Sequence, residues 1–292
     1  MRAFAMAAVL LVAAVGLTPR ADAQAAKKLS IGIPQSTFRD VPAVIMDAAA
    51  TPFRELFRRQ AGLDGDIQLV PSYDALAAQM QAKKIDIGVF TGFEYAWVKS
   101  AYPDIVPLVV AVPQGRKMQA VLVVHKDGKA ARPADLVGAC VGIPVGSKPH
   151  CHLFIERLRL GLPADCCGEA KTEPKGPEDV LDAVAAKQLP AGLVDTAALT
   201  AYQNTCPGGH AQLRVLAQSE LFPPGVIAYR KGAVDAASVS KKHGGLTKAS
   251  GTAQGRAFMA ISKLKGFEDV PADFDADLKR IAAAYPPPAP PK

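Results

Sequence analysis

Residues 84–97 constrain the fold most strongly, because an apolar run there passes through a short break into a helical pattern (KIDIGVFTGFEYAW). The run 85–90 is rich in β-branched and aromatic residues, Thr91-Gly92 interrupts it, and residues 93–100 can continue as a helix. Backbone N–H groups at such a helix start attract anions. The segment therefore predicts a strand, a loop and a helix of an α/β protein. These residues alone leave open whether the junction is generic or forms a pocket wall.

The N-terminus predicts a secretory signal peptide at residues 1–23. Arg2 precedes an apolar run at 3–17, and the small-x-small motif Ala21-Asp22-Ala23 follows it. The run is shorter than the roughly 20 apolar residues of a comfortable membrane span. We expect cleavage after Ala23 and a periplasmic or otherwise extracytoplasmic protein, with an uncleaved anchor as the alternative.

Strand-like and helix-like segments alternate along the rest of the chain. Strands are predicted at 28–34, 67–71 and 85–90, with helices at 44–60 and 74–83, the second capped by Asp74. This βαβαβ order predicts a parallel sheet. Further strands are predicted at 106–112, 120–125, 139–143, 188–194 and 212–216, while Ser147 and Asp195 open later helices. An α/β fold of one or two lobes follows.

The distribution of charge and the absence of catalytic motifs argue against two classes of function, nucleic-acid binding and enzymatic activity. The formal net charge is +7, but Lys and Arg are scattered without the basic helix or interleaved aromatic residues of a nucleic-acid-binding face. A modest positive field favours an anionic small ligand. The chain has no Gly-x-Ser-x-Gly motif and no phosphate-binding P-loop, so neither an enzyme nor a bound cofactor is expected.

Five cysteines lie between residues 140 and 206, and in an oxidising compartment they predict disulfides whose pairing the sequence leaves open. An odd number leaves at least one thiol unpaired within the chain. A metal site is the alternative, since thiolate and imidazole suit zinc or copper, although no standard ligand spacing is present. The candidate metal ligands are His150, His152, Cys166 and Cys167.

The succession of segments resembles a known family. It includes LSIGIP at 29–34, YDALAAQMQAKKIDIGVFTGFEYA at 73–96, AVLVVHKDG at 120–128, VGIPVGS at 141–147, GLVDTAAL at 192–199 and LAQSELFPPGVIAYRKG at 216–232. In order and spacing, residues 28–270 resemble the phosphonate and phosphate receptors of ABC transporters, within the type II periplasmic binding proteins.

The resemblance implies two α/β lobes joined by two crossovers, near 111–113 and 216–219, with a ligand cleft between the lobes. The first lobe is expected to comprise residues 28–112 plus 218–285 and the second 113–217. Residues 286–292 form a Pro-rich tail, which we expect to be disordered.

The implied function is that of an extracytoplasmic solute-binding receptor. It would capture a phosphonate, a phosphate-like oxyanion or a related organic acid by lobe closure and present it to a membrane permease. A monomer is expected. A metal-binding or sensory extracytoplasmic protein on the same fold is the alternative.

The resemblance also implies a set of ligand-binding residues. The family's Ser-Thr-Ser phosphate-binding turn falls at Ser147, where this chain has one hydroxyl followed by Lys148 and His150 as possible charged donors. Asp195 occupies an acidic position of the family and is equally a helix N-cap. In the first loop, the planar guanidinium of Arg39 suits a carboxylate, sulfonate or phosphonate. The full predicted set is Ser36, Thr37, Phe38, Arg39, Thr91, Gly92, Tyr95, Ser147, Lys148, His150 and Asp195.

Overall fold

The chain forms two separate β-sheets in a computed structural model that describes residues 29–38, 58, 65–115, 118–169 and 176–288. The predicted signal peptide, Arg39, the predicted helix at 44–60 apart from Arg58, and the end of the Pro-rich tail lie outside these residues. The strands in chain order are β1 (Leu29–Pro34), β2 (Gly65–Val70), β3 (Ile87–Phe90), β4 (Ile105–Pro113), β5 (Ala120–His125), β6 (Cys140–Gly142), β7 (Gly168–Glu169), β8 (Ala191–Asp195), β9 (Leu213–Gln218), β10 (Gly225–Arg230) and β11 (Leu264–Glu268).

Helices connect most of these strands. The described α-helices are α1 (Tyr73–Gln81), α2 (Gly92–Ala101), α3 (Pro149–Leu160), α4 (Pro177–Ala185), α5 (Thr196–Thr205), α6 (Pro207–His210), α7 (Ala236–Thr247), α8 (Ala253–Ser262) and α9 (Phe274–Ala284). Short 3-10 helices lie at Gln35–Phe38, Pro133–Asp135 and Ala249–Gly251. Within the described part of the chain, no helix combines the length and the apolar character that a membrane span needs.

The first sheet has six strands in the order β11-β4-β10-β3-β1-β2. The strands β1, β2 and β3 run parallel, with Ile31 opposite both Ile67 and Ile87. The strand β10 is antiparallel to its neighbours β3 and β4, and β11 is antiparallel to β4. The predicted parallel arrangement is therefore confirmed for the first three strands, but the complete sheet is mixed, because later strands return to it from the second sheet.

The second sheet has five strands in the order β7-β6-β8-β5-β9. The strand β6 is parallel to β7 and β8, whereas β5 is antiparallel to β8 and β9. The chain passes from the first sheet to the second between β4 and β5 and returns between β9 and β10. The two sheets are thus joined by two crossings of the chain.

The cap of α1 differs from the prediction. The Ser72 hydroxyl accepts a hydrogen bond from the Ala75 N–H at 3.5 Å, so Ser72 and not Asp74 is the N-cap. The helix begins at Tyr73, one residue before the predicted cap, which places Asp74 inside its first turn. A carboxylate there still interacts favourably with the helix dipole.

An aromatic cluster links the helices of the first sheet with the core of the second. The rings of Phe93 and Trp97 lie 5.2 Å apart, and those of Phe222 and Tyr285 lie 4.9 Å apart. The Trp97 indole N–H donates a 2.7 Å hydrogen bond to the Tyr285 carbonyl. These residues share one buried cluster with Leu122 and other side chains of the second sheet, so the two units are packed against each other.

The start of α2 is held close to the return crossing. A Cβ atom added at Gly92 would overlap the backbone carbonyl oxygen of Pro223. Neither partner can move as a flexible side chain would, because the contacting atoms belong to the backbone of Pro223 and Pro224. Glycine at residue 92 is therefore required by packing.

We expect Gly92→Ala to lower the free energy of unfolding by about 1–3 kcal/mol, because it forces backbone apart in a packed region. Gly244→Ala in α7 is the matched control, since no atom outside the local helix backbone lies within 4 Å of its added Cβ. That control should be neutral or stabilising by about 0.5–1 kcal/mol. Urea unfolding followed by circular dichroism measures both, and equal effects would contradict the packing role of Gly92.

Candidate ligand-binding site

The N-terminus of α2 is satisfied by a carboxylate of the chain itself. Thr91 and Glu94 form a capping box, in which the Thr91 N–H and hydroxyl donate to Glu94 Oε2 at 3.1 and 2.8 Å. The Ser36 hydroxyl donates to Glu94 Oε1 at 2.5 Å. The turn at Thr91 and Gly92, which we predicted to face an anion, therefore already has an internal anion. The Thr-x-x-Glu spacing is a sequence signal for this box that our prediction missed.

Glu94 is 2% exposed. Burial raises the pKa of Glu94, and the hydrogen bonds from Ser36 and Thr91 act in the opposite direction. A buried carboxylate repels a second negative charge placed beside it.

A second turn joins β6 to α3. Gly146 adopts a left-handed backbone conformation with φ of 69°, which glycine reaches without strain. Lys148 precedes the helix in an extended conformation, and its side chain makes no capping hydrogen bond. The turn thus brings Ser147 and a lysine to the positive end of a twelve-residue helix.

A third turn follows β8 and meets the second one through an ion pair. Asp195 is the N-cap of α5, where its Oδ1 accepts a 2.7 Å hydrogen bond from the Ala198 N–H. Its Oδ2 contacts the Lys148 ammonium. Burial raises the pKa of Asp195, but Lys148 and the Ala198 N–H outweigh that effect and hold it below the ordinary value. The N-cap role proposed for Asp195 is confirmed.

His150 lies in the first turn of α3 and is 1% exposed. Neither ring nitrogen has a hydrogen-bond partner within the described part of the chain, and the ring centroid is 5.5 Å from that of Phe222. Burial lowers the pKa of His150 to about 4; Lys148 and His152 add to this, while Asp195 opposes it. The ring is therefore neutral near pH 7, so His150 does not carry the positive charge that we considered.

The remaining predicted residues follow β1 or lie in α2, and the structure describes the side chains of some of them. Tyr95 is fully buried, stacks against Phe274 at 6.3 Å and donates its hydroxyl to the Ile105 carbonyl at 3.1 Å. The structure therefore places Tyr95 in the core and not in contact with a ligand. The Thr37 hydroxyl is buried and has no hydrogen-bond partner among the described residues. The side chain of Phe38, like Arg39, lies outside the described part of the chain.

The five cysteines all lie within the described residues and are free, so the structure does not confirm the predicted disulfides. The sulfurs of Cys166 and Cys167 are 3.8 Å apart. Across the residues that the structure describes, no three His, Cys, Asp or Glu side chains form a group able to hold a metal ion. The alternative set that included His150 and His152 is therefore not assembled into a metal site.

A cavity of about 400 Å³ lies where these elements meet. Ser36, Ser72 and Glu94, which follow β1, β2 and β3, line one side, and α3 lines the other from Pro149 to Leu160. Carboxyl ends of parallel strands are the usual position of ligand sites in open α/β sheets. A hollow of about 500 Å³ beside α7 is lined by Leu108, Tyr229 and His243, among others, and by none of the predicted site residues.

Comparison with known families agrees with this arrangement. Residues 39–276 match the family model described as ABC transporter, phosphonate, periplasmic substrate-binding protein. The chain belongs to this family. It is thus the substrate-binding component of an ABC transporter, which implies a membrane permease as partner and an extracytoplasmic location. The predicted receptor function for small anions is confirmed. No curated protein sequence matches the chain.

Solved structures of other binding proteins share the fold. PhnD1 from Prochlorococcus marinus in complex with methylphosphonate has a TM-score of 0.57 and 11% identity, covering 87% of this chain and 97% of that one. A Xanthomonas citri protein bound to chloride ion has a TM-score of 0.55 and 15% identity, with coverages of 88% and 96%.

A binding-protein component of an ABC phosphonate transporter from Pseudomonas aeruginosa has a TM-score of 0.54 and 17% identity, with coverages of 87% and 84%. The predicted type II fold with two α/β lobes is confirmed.

We expect Tyr95→Phe to lower the free energy of unfolding by about 1 kcal/mol, because the Ile105 carbonyl loses its buried donor. The affinity for methylphosphonate, measured by calorimetry, should stay unchanged, since Tyr95 lies in the core. Tyr102→Phe, at a half-buried position just after α2, is the control for loss of a hydroxyl. If Tyr95→Phe weakened the affinity for methylphosphonate and left the stability unchanged, Tyr95 would belong to the binding site.

His150 should make the protein less stable in acid. The unfolded chain binds a proton at the ordinary His pKa of 6.5, whereas the folded chain does so only at about 4. The free energy of unfolding should therefore fall as the pH drops between these values, by about 1–3 kcal/mol in total. His150→Gln should remove that slope in urea unfolding measured across the window, and His210→Gln, at a partly exposed position, should retain it. An unchanged slope in His150→Gln would contradict this origin.

Proposed function

We propose that this receptor captures a phosphonate-type anion in the cleft between its two lobes and presents it to the permease. The anion binds at the start of α3, with Ser147 and Lys148 as its main contacts. The observation that carries the proposal is the position of Lys148. This cation lies at the positive end of α3, and its side chain does not cap the helix. The next residue, Pro149, lines the interlobe cavity.

The electrostatics of this turn favour one anionic group. A carboxylate, Asp195, already contacts the Lys148 ammonium, which supports an anionic partner at this turn. Charge-assisted hydrogen bonds of this kind are roughly twice as strong as neutral ones. The two unpartnered nitrogens of neutral His150 add a donor and an acceptor in the same helical turn. An incoming anion would share or replace Asp195 as the partner of Lys148.

The proposed lobes are residues 28–112 plus 218–285 and residues 113–217. The two sheets support this division, since β4 ends at Pro113 before the chain enters the second sheet, and β10 begins at Gly225 after the return. Closure about these two crossings would bring the start of α2, which contains Glu94, towards α3. Arg39, Thr37 and Ser36 follow β1 and belong to the proposed cleft on the basis of their position in the chain.

The ligands of structural relatives support an anion. PhnD1 of Prochlorococcus marinus was solved with methylphosphonate, and the Xanthomonas citri protein was solved with chloride and, separately, with ATP. We propose that the chain acts as a binding protein without enzymatic activity and as a monomer, exported by a cleaved signal at residues 1–23.

Two substitutions with opposite expected effects test the anion site. Lys148→Met should weaken methylphosphonate binding by roughly 10- to 100-fold, because a charged hydrogen bond is lost. Asp195→Asn should not weaken binding and is expected to strengthen it, because Lys148 loses its internal competitor. Lys126→Met, at an exposed position, is the control for net charge. Isothermal titration calorimetry measures all three.

Two results would overturn the proposal. If wild-type protein bound no member of a panel of phosphonates, phosphate, sulfonates and small carboxylates, the proposed ligand class would be wrong. If Lys148→Met and Lys126→Met bound methylphosphonate with the same affinity as the wild type, the site would lie elsewhere.

A further inference from the structure

The cavity beside the proposed anion site is far larger than a methyl group needs. Its volume of about 400 Å³ falls within the range of pockets that hold organic ligands of moderate size. Pro149, the residue after Lys148, lines this cavity. A ligand whose anionic group bound at Lys148 would therefore lie next to this cavity.

One wall of the cavity is aromatic, and the α3 wall combines two leucines with His152, Glu156 and Arg157. Tyr73, Phe93 and Trp97 form a connected set of rings, with centroid distances of 5.0 Å from Tyr73 to Trp97 and 5.2 Å from Phe93 to Trp97. Leu153 and Leu160 of α3 face the cavity from the second lobe. Aromatic walls of this kind favour flat or apolar substituents.

Glu94 adds a chemical constraint to this apolar cavity. It lines the cavity while both carboxylate oxygens accept hydrogen bonds from Ser36 and Thr91. A carboxylate accepts hydrogen bonds and repels an oxyanion in a site with little water. The other charged side chains at the cavity, Glu156 and Arg157, are opposite in sign and supply no surplus positive charge for a second anionic group.

We propose that the natural ligand is an organic anion whose substituent is larger than methyl and lies between the Tyr73–Phe93–Trp97 wall and α3. The substituent is mainly apolar or aromatic, directs a hydrogen-bond donor towards Glu94 and carries no second negative charge. This inference rests on the proposed function, since it places the anionic group at Lys148. It identifies the substituent as the source of specificity.

Four phosphonates of graded size and charge test the inference on the wild-type protein. Phenylphosphonate should bind roughly tenfold or more tightly than methylphosphonate, because it buries apolar surface in the cavity. (4-Hydroxyphenyl)phosphonate should bind at least as tightly as phenylphosphonate. (4-Carboxyphenyl)phosphonate, which is close in size but carries a further charge, should bind more weakly than either.

A variant of Glu94 separates charge from shape. Glu94→Gln retains the capping box, since glutamine serves at this position as glutamate does. In this variant the affinity ratio of the carboxyphenyl to the phenyl ligand should rise by roughly tenfold or more over the wild-type ratio. Glu178→Gln removes an exposed carboxylate from the first turn of α4 and should leave the ratio unchanged.

The outcomes distinguish this inference from the proposed function. If methylphosphonate bound as tightly as phenylphosphonate, the proposed subsite for the substituent would be wrong. The proposed anion site would not be contradicted. If the carboxyphenyl ratio were the same in Glu94→Gln and in Glu178→Gln, the role of Glu94 would be wrong. If no phosphonate bound the wild-type protein, both the inference and the proposed function would be overturned. The affinities of the four phosphonates for the wild-type protein test the proposed subsite even if Glu94→Gln folds poorly.

Discussion

Three helices of this receptor begin at the edge of a sheet, and each leaves backbone N–H groups that need an acceptor. The cleft depends on how these helix starts are satisfied. At α2 the Thr91 hydroxyl accepts from the Glu94 N–H and the Glu94 carboxylate accepts from Thr91, while at α5 the acceptor is Asp195. At α3 the preceding residue is Lys148, whose side chain caps nothing and pairs with Asp195 instead. This is the turn at which we propose that an external anion binds.

The charges of the cleft follow from this arrangement. A buried carboxylate is costly unless hydrogen bonds or a cation compensate it, and Glu94 and Asp195 are compensated in different ways. Burial raises the pKa of Glu94, and the neutral donors of Ser36 and Thr91 offset this only in part. Asp195 has the Lys148 ammonium, so its pKa is lowered. The two buried carboxylates therefore have opposite pKa shifts, because burial dominates at Glu94 and the Lys148 ammonium dominates at Asp195.

Much of this could be predicted from residue patterns that act locally. The capping role of Asp195, the strand before Thr91 and the helix after Ser147 depend on neighbours in the chain, and the structure agrees with each. Tyr95 shows the limit of such predictions. It follows the loop by a few residues, but the helical turn rotates its ring away from the cleft and towards Phe274. Sequence position alone does not give that rotation.

The sequence by itself determined the alternation of strands and helices, the family and the two turns that meet the cleft, because these depend on local propensity and on the order of segments. Only the tertiary structure decided that Glu94 would occupy the first turn together with Ser36, that His150 would be buried and neutral, and that three rings would line the cavity. These features join residues far apart in the chain, and their burial and distances arise only when the two sheets pack together. Residues 84–97 therefore contribute Phe93, Glu94 and Trp97 to one wall of the cavity.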